Sequence, residues 1–172
     1  MSDPEINVDF LGKKEKSYFF DEIFQETYKN IEIFNKVIKN MVDNILLGYN
    51  STALAYGVTG AGKTHTMFGD IYNDDNLEKG ICTYAIEYLF EKILKENQNN
   101  KSFHIKISYL EIYNEQVVDL LDKKSVTLMI IEDPIKGIIV PELSEYTVNN
   151  TSELISLIIQ GNKERTMAPT GI

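Results

Sequence analysis

The sequence holds one cysteine, Cys82, and two histidines, His65 and His104. A single thiol cannot close an internal disulfide, and with a lone cysteine the two histidines offer no zinc-ligand cluster. Long apolar runs are also missing. No stretch approaches the roughly 20 residues that a membrane-spanning helix needs, and the acidic start "MSDPEINVDF" lacks the charged and apolar regions of a signal peptide. An intracellular protein without membrane association is therefore expected. Basic residues are in the minority, 17 against 26 acidic, for a net charge of −9. That balance argues against a broad nucleic-acid surface, which needs concentrated Lys and Arg. The short runs "GKKEK" (residues 12–16) and "LDKKS" (residues 121–125) read as solvated surface clusters. There is no internal repeat and no low-complexity segment.

What is present suits one globular domain: 172 residues, 43% hydrophobic and 25% charged. Phe34, Val37, Ile38, Met41, Val42, Ile45 and Leu46 recur at helical spacing across residues 30–47, with Asn30 as N-cap and Gly48 as stop. "STALAYG" (residues 51–57) is a short apolar run entering glycines, as expected of a strand buried on both faces. "GKTHTM" opens the next helix, and the acidic, Asn- and Gly-containing run "FGDIYNDDNLEKG" (residues 68–80) interrupts it as a loop. Helical spacing resumes from Ile81 to Leu94. "SFHIKISYLEIYNE" then alternates Phe103, Ile105, Ile107 and Tyr109 against polar neighbours, the period of a strand. "VTLMII", "GIIV" and "EYTV" read as short strands around the turn "EDPIKG". Asn150 and Glu153 form a capping box that opens a helix running towards Gly161. Helix, buried strand, glycine turn and helix in succession predict an α/β fold.

The chemistry concentrates in Gly57-Val58-Thr59-Gly60-Ala61-Gly62-Lys63-Thr64, which satisfies G-x-x-x-x-G-K-[ST]. Glycines let backbone N–H groups approach phosphate oxygens, and the following helix N-terminus adds partial positive charge. Lys63 is placed to reach the β- and γ-phosphates and the Thr64 hydroxyl to coordinate magnesium. Hydrolysis needs a further acid on the metal side. Glu132 or Asp133, ending the apolar run "VTLMIIED", is the candidate, with a plain Pro-containing turn as the alternative. A nucleotide kinase using Asp133 is one reading of that arrangement.

"GYNSTALAYGVTGAGKTHTM" (residues 48–67) resembles the kinesin motor domain, and further segments match that family in order. These are "FDEIF" (residues 20–24), "SYLEIYNEQVVDLL" (residues 108–121) and "GNKERTMAPT" (residues 161–170). "GKKEKSYFFDEIF", the Gly-Ala-Gly core and "RTMAPT" are most similar to the eighth kinesin class. The resemblance implies a P-loop NTPase fold with a central, largely parallel or mixed sheet flanked by helices. It implies hydrolysis of ATP with Mg, coupled to movement along microtubules or remodelling of their ends. The implied location is the cytoplasmic microtubule cytoskeleton, including the spindle, with dimerisation through a stalk outside this chain. Gly57, Val58, Thr59, Gly60, Ala61, Gly62, Lys63 and Thr64 carry over as the nucleotide cradle, Thr64 also as the Mg contact. His65 matches a position beside the adenine, or serves only to open a helix. Lys136 lies in a segment that faces the microtubule in the family. Arg165 matches an arginine near the nucleotide switch, or is a solvated helix-end residue complementing the helix dipole.

Three departures accompany the resemblance. An R-x-R-P strand has no match before Phe10, the sequence stops before the N-x-x-S-S-R-S-H switch, and the D-x-x-G-S-E switch has no match. Residues 1–172 therefore read as the N-terminal portion of one motor domain, lacking the first strand and both switch regions. On that reading the fragment alone has no catalytic residue of its own and is not competent for turnover. A non-catalytic nucleotide-binding or interaction module is then the alternative, with exposed apolar surface and unpaired strand edges expected of it.

Overall fold

The helix expected from residue 30 forms in three successive pieces: α1 (Asn30–Ile33), a π-helical turn (Phe34–Ile38) and α2 (Lys39–Leu46). The structure, a computed structural model, describes residues 4–10, 13–70, 78–97, 102–122 and 127–165. Most of the acidic loop (residues 71–77), Gly12, the end of "KENQNN", Lys123 to Ser125 and the end of the last motif (residues 166–170) lie outside the described residues.

Two hydrophobic clusters build the core, and one helix, α4 (Ile81–Asn97), belongs to both. On one side, Phe34, Ile38 and Val42 pack with Ile81, Tyr84 and Tyr88 of α4. Two rings of α4 lie against Phe34, with centroids at 5.8 Å for Tyr84 and 5.9 Å for Tyr88. On the other side, Phe90 of α4 packs with Val148, Leu154 and Ile158. A helix apolar on two faces is one that neighbours cover twice. The first cluster also holds Met67 and the second Phe68, both from α3 (Lys63–Phe68), so the helix after the glycine turn is anchored to each.

Asn30 does not cap the helix as expected. It is the first helical residue and is buried, while Lys29 stands at the N-cap with its N–H donated to Glu32 Oε2 at 2.9 Å. The Asn30 side chain instead donates to the carbonyls of His65 (3.2 Å) and Lys79 (3.1 Å), and its backbone N–H goes to Glu78 Oε1. A buried amide needs such partners, and here they tie the start of α1 to α3 and to the approach of α4.

Every described strand pairing is antiparallel, so the largely parallel central sheet expected from the resemblance is not formed among the described residues. β1 (Glu5–Phe10) and β2 (Lys13–Phe19) form a hairpin. The alternating run after residue 102 divides because it changes partner: β3 (Ile105–Ile107) pairs with β9 (Tyr146–Val148), whereas β4 (Leu110–Tyr113) pairs with β5 (Gln116–Asp119). β5 in turn pairs with β6 (Thr127–Leu128), and β7 (Ile131–Asp133) pairs with β8 (Gly137–Ile139). The β4–β5 connection places Asn114 and Glu115 at φ +48° and +61°, both in the left-handed region that a two-residue hairpin requires.

The expected buried strand at residues 51–57 is absent too. No described strand pairs with it, and Leu54 and Tyr56 are 85% and 95% exposed. A central strand is defined by its neighbours, and apolar composition alone cannot supply the ladder that would cover it.

The last helix, α5 (Thr151–Glu164), starts on the expected box: Asn150 Oδ1 accepts from the Glu153 N–H at 2.9 Å, and Glu153 Oε2 accepts from the Asn149 N–H at 2.8 Å. It does not stop at Gly161. A Cβ there would sit 2.3 Å from Tyr109 Cδ1, so this glycine marks a close approach of β4 and α5 rather than a helix end.

Candidate functional site

The glycine turn is built by backbone geometry. Gly60 and Gly62 both sit at φ +82°, while a Cβ at either would meet nothing within 4 Å. The demand for glycine is thus conformational, since left-handed backbone costs a side-chain-bearing residue roughly 1–2 kcal/mol. The Ala61 N–H closes the turn on the Val58 carbonyl at 3.1 Å. Gly62 is the N-cap of α3, and the Thr66 N–H returns to its carbonyl at 2.9 Å. The N–H groups of Lys63, Thr64 and His65 fall in the first turn of α3, which has no earlier helical carbonyls to bond, so they suit an anion.

Lys63 turns back onto this loop. Its Nζ donates to the carbonyls of Gly57 and Val58, each at 2.9 Å. The ammonium is therefore already located at the turn, and a phosphate would take over from two carbonyl acceptors. Thr64 is exposed beside it. Its hydroxyl is a hard oxygen donor of the kind magnesium accepts alongside water and phosphate oxygens. Among the described residues no three His, Cys, Asp or Glu side chains cluster as a metal cage. Thr64 and substrate oxygens are thus the fitting donors.

Lys63 and Thr64 line a cleft of about 570 Å³. Residues 53–55 form one wall, Met67 and Phe68 continue the α3 side, and Tyr109, Leu110, Glu111 and Ile112 of the β4 region form the other, with Arg165 at the rim. Tyr109 joins these pieces. Its ring lies 6.5 Å from that of Phe68, its hydroxyl donates to Asn162 Oδ1 at 2.7 Å, and it fills the space left by Gly161. Arg165 Nε stands 3.6 Å from Glu111 Oε1. Arg165 thus lines the same cleft as Lys63 and Thr64.

The remaining candidates lie apart from the cleft. His65 is exposed and does not line it; its carbonyl accepts from Asn30 Nδ2 and from the Gly69 N–H at 2.8 Å. Lys136 is exposed at the tip of the β7–β8 hairpin. Asp133 accepts the N–H groups of Lys136 (2.8 Å) and Ile135 (2.9 Å), and these bonds hold its carboxyl below the ordinary value. That carboxylate is committed to the hairpin turn, and neither it nor Glu132 lines the cleft, so the nucleotide-kinase arrangement finds no support. Glu111, Tyr109 and Asn162 were not foreseen as site residues. They stand inside the ordered segments "SYLEIYNE" and "GNKER", whose placement in sequence carried no information about which residues meet.

A left-handed glycine turn that opens a helix with Lys-Thr, behind a cleft, defines a phosphate-binding-loop protein. The match of residues 4–172 to the kinesin motor domain makes the family specific: the chain belongs to the kinesin motor family. It is 40% identical over 173 residues to "Kinesin-like protein KIN-12G" of Oryza sativa subsp. japonica, covering 96% of this chain and 14% of that one. It is 41% identical over 157 residues to "Kinesin-like protein KIF18B" of Mus musculus, covering 91% and 18%. With "Kinesin heavy chain" of Syncephalastrum racemosum it shares 40% identity over 173 residues, covering 99% and 18%. These near-equal identities, spread over differently named kinesins, do not single out a class. The chain spans less than a fifth of the length of these relatives.

Proposed function

We propose that this chain is the nucleotide-binding portion of a microtubule-dependent ATPase, with residues 4–165 including the phosphate cradle of its motor domain. The observation that carries the reading is the turn at Gly60 and Gly62, which delivers Lys63 and Thr64 to one cleft with Arg165. Main-chain N–H groups of the first α3 turn donate to the oxygens of a phosphate group, Lys63 leaves the Gly57 and Val58 carbonyls to neutralise it, and Thr64 holds the metal side. Magnesium, when bound, draws charge from the β- and γ-phosphate oxygens. Gly57, Val58, Thr59 and Ala61 shape the turn, and His65 flanks it. Lys136, on its own hairpin, is offered to the acidic surface of the microtubule, and the protein works on the microtubule cytoskeleton.

Titration calorimetry on the full-length gene product with ATP and magnesium tests the cradle. Binding is expected, and Lys63→Ala should weaken it at least about tenfold, the scale of a charge-assisted hydrogen bond. Wild-type protein that takes up neither ATP nor ADP at millimolar concentration overturns the proposal. A second reading, an interaction module without turnover, is favoured by the exposed apolar side chains of Leu47, Tyr49, Leu54, Tyr56 and Val58. ATP turnover stimulated by microtubules supports the motor; nucleotide binding without it supports the module.

A further inference from the structure

We propose that Glu111 sets the preference between nucleoside triphosphate and diphosphate by competing with the terminal phosphate for Arg165. This rests on the nucleotide-binding reading above and concerns residues to which that reading assigns no task. Glu111 and Arg165 both line the cleft that Lys63 and Thr64 also line, and they meet there as an ion pair. Their contact engages the guanidinium through Nε at 3.6 Å, longer than a hydrogen bond, with side chains 17% and 38% exposed. At 3.6 Å through Nε alone this contact is loose, whereas the guanidinium fork suits a phosphate better than one distant carboxylate oxygen.

The backbone around the pair is fixed. Glu111 stands opposite Val118 in the β4–β5 ladder. The Arg165 N–H is bonded to the Gly161 carbonyl at 3.2 Å, and Gly161 and Asn162 are clamped by Tyr109, two residues before Glu111. A third phosphate adds negative charge near Glu111 and offers Arg165 another partner. A diphosphate adds less. The carboxylate therefore opposes the triphosphate more strongly, through repulsion and through its claim on Arg165.

The test measures ATP and ADP affinities, with magnesium, on the full-length gene product and its variants. Glu111→Gln should raise the ATP-over-ADP affinity ratio about fivefold, which corresponds to about 1 kcal/mol. Glu111→Asp, retaining the charge, should keep the ratio near that of wild type. Arg165→Gln should lower the ratio, and adding Glu111→Gln to it should recover less than the single variant gains. An unchanged ratio in Glu111→Gln, an equal gain for both nucleotides, or the full gain persisting without Arg165 overturns the inference while leaving the phosphate cradle standing. A wild-type protein that binds neither nucleotide sinks both.

Discussion

The helical side of the molecule and the approach to the glycine turn are similarly apolar in sequence and opposite in structure. Phe34 and Val42 are 5% and 4% exposed because α4 lies across them, whereas Leu54 and Tyr56, only a dozen or so residues beyond Val42, stand in the open. Hydrophobicity is a property of the residue; burial is a property of what covers it. The helical side carries its own cover within the described residues. The segment leading into the phosphate loop does not.

The comparison is sharpest at the largest expected effect. Phe34→Ala removes a ring packed between α1 and α4 and should lower unfolding stability by about 3–5 kcal/mol in urea titration. Asp119 tests whether the covered parts depend equally on their polar groups. It is buried, and its carboxylate accepts the N–H groups of Ser144 (2.7 Å), Leu121 (2.8 Å) and Asp122 (3.2 Å). Burial pushes its pKa up, but these donors outweigh it and hold the carboxyl below the ordinary value. Asp119→Asn should cost about 1–3 kcal/mol. Because the folded pKa is depressed, the carboxylate's contribution is present above the unfolded value of about 3.9 and is lost as pH falls through the folded one. Stability followed by thermal melts below about pH 4 should thus fall more steeply in wild type than in Asp119→Asn.

Smaller effects are expected where nothing packs. Glu115, in left-handed backbone at the β4–β5 turn, should gain about 0.5 kcal/mol on replacement by glycine, the relief of φ strain less the added chain entropy. Tyr56→Ala should change stability by less than about 0.5 kcal/mol. A loss at Tyr56 rivalling that at Phe34 would break the contrast and reveal a cover on the loop approach.

The same division explains what could be read in advance. The glycine turn, the Asn150 and Glu153 box, and the helix starting at residue 30 are decided by neighbours three or four positions away, so their residues announced them. Asn30, Gly161 and Glu111 were misjudged or overlooked because their partners lie 35 to 54 positions off, at His65, Tyr109 and Arg165. Local rules assigned Asn30 to a cap and gave Gly161 no partner; the fold brings two carbonyls to the one and a ring to the other. Residues 51–57 failed for a related reason, since a strand's identity depends on pairing that the segment itself does not contain. The family resemblance, resting on ordered motifs, identified the chain without stating which of those motifs touch.

At the mouth of the excursion between α3 and α4, Gly69 and Lys79 meet in a backbone bridge, the Asp70 N–H reaches the Glu78 carbonyl at 3.2 Å, and Asn30 fastens both stems from behind. Such a clasp secures the two stems to each other and to the start of α1. A change in the number of residues between positions 70 and 78 costs little in closure entropy, which grows only slowly with loop length.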